Sequence, residues 1–238
     1  MKIKQTLLTI GAALVFASTA IAGDVVLSPI PQAPTIDGLV TVGYDSQYVF
    51  RGVTQGQDAI STGVDLIVPV SDSLAVGVGV WYVNPVSGGI LEDELDLYAS
   101  VGTSLGQFAV EVGYTSYFYP TSSADQTSEV FIKGGTEVFG VEVGGLYAYD
   151  FDLETHYFEA IAGKSFDLTD TVGLDVQVNI GFNEDSYSHT TSSLTLPVAL
   201  TDSATLSPYV AGIFRDGSTH PAESSSELIG GVSLSVSF

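Results

Sequence analysis

The 238-residue chain has no cysteine, one methionine, one tryptophan, and only 6 lysines and arginines against 28 aspartates and glutamates. Each shortage closes off a class of function. Without cysteine there is no disulfide, no thiol nucleophile and no thiolate metal centre. A formal net charge of −22 repels phosphate backbones, so nucleic acid is excluded as a partner. Beyond the first residues there is no helical apolar period, and no apolar run approaches the roughly 20 residues of a membrane helix. The acidity is not that of a disordered tail, because the mean hydropathy is +0.33 and only 14% of residues are charged; acidic tails lack apolar residues. What the chain does have is 26 glycines, 12 tyrosines and 12 phenylalanines, a composition of strands and turns.

The N-terminus reads as an address. Lys2 and Lys4 precede a short apolar run, Leu7 to Phe16, and Ala20-Ile21-Ala22 fits the small-x-small rule of signal cleavage. The expectation is a Sec-type signal peptide over 1–22 and hence an exported protein. Cleavage removes two lysines and leaves the mature chain more acidic still. Residues 23–37 carry Pro29, Pro31 and Pro34, which hold neither a ladder nor a helix; they read as a leader, either flexible or folded back into a cavity. The remainder, 38–238, reads as one domain.

Within it the dominant period is two. Val40, Val42, Tyr44, Tyr48 and Phe50 alternate with Thr41, Gly43, Asp45, Gln47 and Arg51. Similar stretches recur to Leu228–Phe238 and make twelve half-apolar strands. Two of them, Tyr157–Ser165 and Ala204–Phe214, have no clear phase. The connections alternate as well. One set is tight (Ser71–Ser73, Ser104–Gly106, Val138–Gly140, Asp167–Asp170, Thr201–Ser203). The other is longer and polar (Gly52–Asp58, Asn84–Asp93, Tyr119–Thr127, Asp150–Thr155, Asn183–Thr191, Arg215–Ser225). A strict long-short rhythm, strands of about ten residues and an even strand count describe an all-β, transmembrane, up-and-down antiparallel β-barrel of about twelve strands, both termini on the short-turn side. Aromatics near strand ends (Tyr44, Tyr48, Phe50, Tyr114, Tyr117, Tyr147, Tyr149, Tyr157, Phe158, Phe214) fit interfacial belts.

Two segments carry family resemblances. Val232-Ser233-Leu234-Ser235-Val236-Ser237-Phe238 resembles the last strand of Gram-negative outer-membrane barrels, which end in an aromatic residue. This implies that Phe238 is an assembly signal read by the barrel-assembly machinery, and that the barrel sits in outer-membrane lipid. Gly43 to Gln55 resembles the opening strand of the TorF-type porin family, an uncharacterised group of exported bacterial proteins; the matching positions are Ser46, Tyr48, Phe50, Arg51, Gly52 and Gln55. That resemblance implies a barrel and a porin, without a substrate.

If the polar face of each strand faces the lumen, Asp45, Asp65, Glu94, Asp96, Glu111, Glu129, Glu137, Glu142, Glu159, Asp175 and Glu227 line it, with Gln47, Gln107, Gln177 and Asn179, against only Arg51 and Lys133. Such a wall concentrates cations and repels anions. Asp45, Asp65, Glu94, Asp96, Glu111, Glu129, Glu142, Asp175, Arg51 and Lys133 are therefore the selectivity candidates, with Arg51 expected to pair with a carboxylate such as Asp65 or to form a constriction. The expected activity is passage of small solutes or cations; a structural or adhesive barrel with no open pore is the alternative. No cofactor is expected. Asp150, Asp152 and Glu154, together with Glu92-Asp93-Glu94, offer oxygen ligands, but solvated loop acids are the simpler reading. A lipid-modifying enzyme would need a hydroxyl beside His156, His189 or His220; Ser188 and Ser218 are near in sequence, but a triad is defined in space and no GxSxG occurs. The chain therefore reads as a non-enzyme.

Overall fold

The computed structural model describes residues 36–89, 93–122, 124–184, 186–218, 220 and 225–238. The expected signal peptide and nearly all of the leader lie outside them. The described residues form strands and connections: β1 (Asp37–Phe50), β2 (Val53–Ser71), β3 (Leu74–Ser87), β4 (Glu94–Leu105), β5 (Phe108–Phe118), β6 (Thr127–Val138), β7 (Val141–Asp150), β8 (Thr155–Asp167), β9 (Gly173–Asn183), β10 (Ser186–Thr195), β11 (Val198–Ala199), β12 (Ala204–Arg215) and β13 (Ser226–Ser237). Consecutive strands pair antiparallel from β1 to β10, β10 pairs with β12, and β13 returns to β1. Closure removes every edge. The two-residue β11 lies outside the ring count. Pro197 has no N–H, so β10 stops at Thr195 and its stave resumes as β11 against Leu206 and Thr205 of β12. The fold is thus the expected closed barrel of twelve staves.

Alternation sorts the faces. Val42, Leu97, Val112, Ile132 and Leu194 are exposed on the outside, whereas Asp45, Glu94, Asp96, Glu111 and Glu129 are buried. In a sheet closed on itself the buried face is the lumen. An outer band of Val, Ile, Leu and aromatic side chains, which would be a liability in water, is the surface a transmembrane barrel presents to lipid. Both ends of the barrel chain lie on the short-turn side. There Gly38 and Phe238 exchange backbone hydrogen bonds at 2.9 and 3.0 Å, closing the seam between β1 and β13.

The loop rhythm holds only in part. Gly52–Asp58 is not a loop: β1 and β2 join through Arg51-Gly52 alone, and β2 runs from Val53. The turn needs two residues at positive φ, and Arg51 (49°) and Gly52 (83°) supply them. Asn183–Thr191 is not a loop either, since β9 reaches Asn183 and β10 begins at Ser186. Polar composition there marks a lumen-facing strand, which looks like a loop when no apolar partner face is present. Four aromatic assignments also change. Tyr48, Tyr117 and Tyr157 are buried in the interior and Phe50 is half-buried beside Tyr117, whereas Tyr44, Tyr114, Phe158 and Phe214 are exposed as a belt requires.

Candidate functional site: the lumen and its in-folded hairpin

The first hairpin leaves the wall. The β1–β13 register ends at Asp45 opposite Gly231, and beyond it the Gly230 N–H donates to Ser46 Oγ (3.0 Å) rather than to a strand backbone. The β2–β3 register likewise begins only at Gln57. Residues between these limits pair with each other, with a bulge between Tyr48 and Val49, and bulges bend strands. The hairpin turns inward as a unit, so Tyr48, which strict alternation places on the outer face, packs against Ala59 and Val83 and has none of its surface exposed.

The tip crosses the lumen to four other staves. The Arg51 guanidinium donates to both carboxylate oxygens of Glu129 on β6, at 2.9 and 2.8 Å. It also lies over the rings of Tyr157 on β8 (4.4 Å) and Phe50 (4.7 Å). Ser188 on β10 donates to the Arg51 carbonyl (3.4 Å), and Arg215 at the end of β12 donates from Nε to the Gly52 carbonyl (2.5 Å). A Cβ on Gly52 would lie 2.7 Å from the His189 ring, so position 52 needs glycine for space as well as for its φ. Behind the tip, Val49 packs on Ala211, Ile213 and Ile229. These inward apolar residues of β12 and β13 explain why Ala204–Phe214 had no readable phase: its outer half is apolar on both faces, one for lipid and one for the hairpin.

The sequence candidates fall in three levels. At the level of the tip, Glu94 accepts from Tyr48 (2.6 Å), and Glu129 accepts from Arg51 and from Tyr117 (2.9 Å). Asp96 is fully buried there with no hydrogen-bond partner for either oxygen. At mid-lumen, Asp45 accepts from Tyr209 (2.5 Å), Asp65 accepts from Tyr98, and Glu111 lies 3.4 Å from Lys133. A chain of donors runs from Gln177 to Asn179 (2.8 Å) and on to Glu159 (3.0 Å), which also accepts from Tyr157 (2.5 Å). Toward the short-turn end, Glu142 and Asp175 are only half-buried, on the faces that carry Ala148 and Gln177. The expected Arg51–Asp65 pair does not form: the turn carries Arg51 across the lumen to Glu129, while Asp65 stays in the wall beside Tyr98. Of the motif positions, Ser46, Tyr48, Phe50, Arg51 and Gly52 build the hairpin and its contacts, and Gln55 is half-buried on β2.

The sequence puts Arg215 at the start of a polar connection. It is a buried lumen cation that pairs with Glu227 at 2.9 Å; its position directly after Phe214 was the available signal. The structure also brings Ser188 Oγ within 2.7 Å of His220 Nε2 and 3.1 Å of His189 Nδ1. Ser188 has no exposed surface, and its contacts belong to the tip. His156 instead lies on the outer wall against Tyr147 and Tyr149. Among the described residues no group of three potential ligands could hold a metal. Glu92 lies outside them. Asp150 accepts from the amides of Asp152 and Leu153 and so caps its own turn. Burial acts to raise the carboxyl of Asp93, before β4, but the hydroxyl and amide of Thr121 and the Tyr82 hydroxyl hold it below the usual range.

The model of a family described as "Bacterial protein of unknown function (Gcw_chp)" matches residues 34–195. Among solved structures, the chain is similar to the KdgM porin (TM-score 0.56, 10% identity, 84% of this chain and 99% of that one). It is also similar to the COG4313 outer membrane channel from Pseudomonas putida F1 (TM-score 0.54, 11% identity, 88% and 97%) and to the NanC porin (TM-score 0.51, 14% identity, 85% and 99%). At such identities the likeness is one of fold. No curated protein sequence matches the chain.

Proposed function

The chain belongs to the Gcw_chp family, and we propose that it is an outer-membrane channel for small solutes that prefers cations. One observation carries this reading: in a closed barrel with an apolar exterior, the interior is dominated by carboxylates, and its cations Arg51, Lys133 and Arg215 are each already paired with a glutamate. An acidic low-dielectric wall attracts cations and repels anions. The porin likeness of the fold and the TorF-type resemblance of the first hairpin support the same reading. The hairpin folds into the lumen and carries Arg51 to Glu129, and in this reading the tip withdraws for conduction. Lipid of the outer membrane is the surrounding partner, and Phe238 at the seam is the terminus that the barrel-assembly machinery would read. The fully buried Ser188 argues for a channel and against a lipid hydrolase.

Purified protein in planar bilayers under a KCl gradient tests the proposal. A reversal potential on the cation side is expected for both proteins, with a small current for the parent protein and a larger one for Arg51→Ala. Preference for chloride would overturn the selectivity. Absence of current from both proteins would leave a structural barrel, the second reading, which the in-folded hairpin itself favours.

A further inference from the structure

The Arg51 guanidinium occupies a cage of one bidentate carboxylate, Glu129, and two aromatic faces, Tyr157 and Phe50. That is the chemistry by which proteins hold guanidinium and alkylammonium groups. Arg51 is here a ligand supplied by the chain itself. The level it occupies holds more carboxyl groups than cations, because Glu94 and Asp96 share the same strand face. Asp96 is completely buried and neither of its oxygens has a hydrogen-bond partner. A buried carboxylate without a partner is costly. Its strand neighbours are aromatic: Trp81 on β3 and Tyr117 on β5 stand opposite it in register, and Trp81 lies 5.6 Å from Tyr48 of the hairpin.

We infer that this level of the lumen is a binding site for a small organic cation, a solute bearing one ammonium or guanidinium group, with Asp96 as its counter-ion and the aromatic side chains as its walls. The inference deepens the channel reading and rests on it for the route of access. Asp96 is covered while the tip is in place, so the solute binds as the hairpin withdraws and pairs with Asp96. Binding therefore favours the open lumen, by mass action on the state that accepts the ligand. A chelated divalent metal is disfavoured, because no three ligands converge among the described residues and aromatic walls suit weakly hydrated cations.

Trp81 is the only tryptophan in the chain and pairs in register with Asp96, so its fluorescence reports on the site. The folded barrel in detergent is titrated with guanidinium, n-butylammonium, sodium and magnesium chlorides at constant ionic strength. The expected result is a saturable change with guanidinium and butylammonium, at least tenfold weaker with sodium, and at least tenfold weaker for Asp96→Asn with either organic cation. Asp96 makes no hydrogen bond that this change would break, and heat-modifiable migration on a gel verifies the fold of the variant. An unchanged titration for Asp96→Asn overturns the inference, and so does tighter binding of magnesium than of the organic cations. Bilayer recordings separate the two readings. Cation-selective current without saturable binding sinks the site and leaves the channel; saturable binding without current leaves the site and sinks the channel.

Discussion

Two hairpins of this barrel turn in the same way and end in opposite places. Arg51-Gly52 joins β1 to β2, and Phe139-Gly140 joins β6 to β7; in both, a non-glycine residue at positive φ precedes a glycine at positive φ. Phe139 is 98% exposed at the short-turn end, and its strands stay in register to the last pair, Val138 with Val141. Arg51 is folded into the lumen with its hairpin peeled from β13. The turn chemistry is common to both, so it fixes where the chain reverses and not where the tip goes. The destination is set by what the tip can bond. A phenylalanine at the rim gains by staying at the apolar boundary, whereas a guanidinium gains only by reaching a carboxylate, and Glu129 lies across the lumen.

The largest effect expected from breaking this contrast is at Arg51. Arg51→Ala leaves Glu129 buried beside Tyr117 without its cation, a loss of about 3–5 kcal/mol for the closed arrangement. The hairpin should be released, with a shift in heat-modifiable gel migration and faster proteolysis between β1 and β2; a hairpin as protected as in the parent protein would remove Arg51 from the role of anchor. Next comes Ile213→Ala, which opens a cavity under Val49. It should cost about 2–5 kcal/mol in urea unfolding. The outward, 74% exposed Leu228 should cost under about 1 kcal/mol when made alanine in the same assay; equal losses would mean that the hairpin does not pack on this wall. The smallest contrast is between the two turn glycines. Gly52→Ala brings a methyl group against His189, whereas at Gly140 the nearest atom is Lys164 Nζ at 3.5 Å. Both substitutions bear the positive-φ penalty of roughly 1 kcal/mol. Gly52→Ala should therefore lower the thermal midpoint further than Gly140→Ala, and the reverse order would contradict the packing described for the tip.

Much of the barrel was legible in sequence. The alternation that makes Asp45, Asp65 and Glu111 inward and Val42 and Val112 outward is a property of neighbouring residues, because successive side chains of a strand point to opposite faces. The sign of the lumen charge followed from the same alternation. The misread residues share a cause. Tyr48, Phe50, Tyr117 and Tyr157 were assigned to the aromatic belts because aromatic residues near strand ends suit lipid interfaces, yet they surround the tip, whose presence no local pattern announces. Arg215, Ser188 and His189 look like loop in the sequence for the same reason: they are buried where the hairpin makes contact.

The sequence by itself therefore determined a closed barrel with an apolar exterior and an acidic interior, because strand period, turn residues and charge are local quantities. Only the tertiary structure decided that the first hairpin folds into the lumen and that Asp96 is left without a hydrogen-bond partner there. Those facts depend on contacts such as Arg51 with Glu129 and Arg215 with Gly52, whose members are 78 and 163 residues apart. Such pairs form only once the ring of staves has brought opposite walls within reach of one turn.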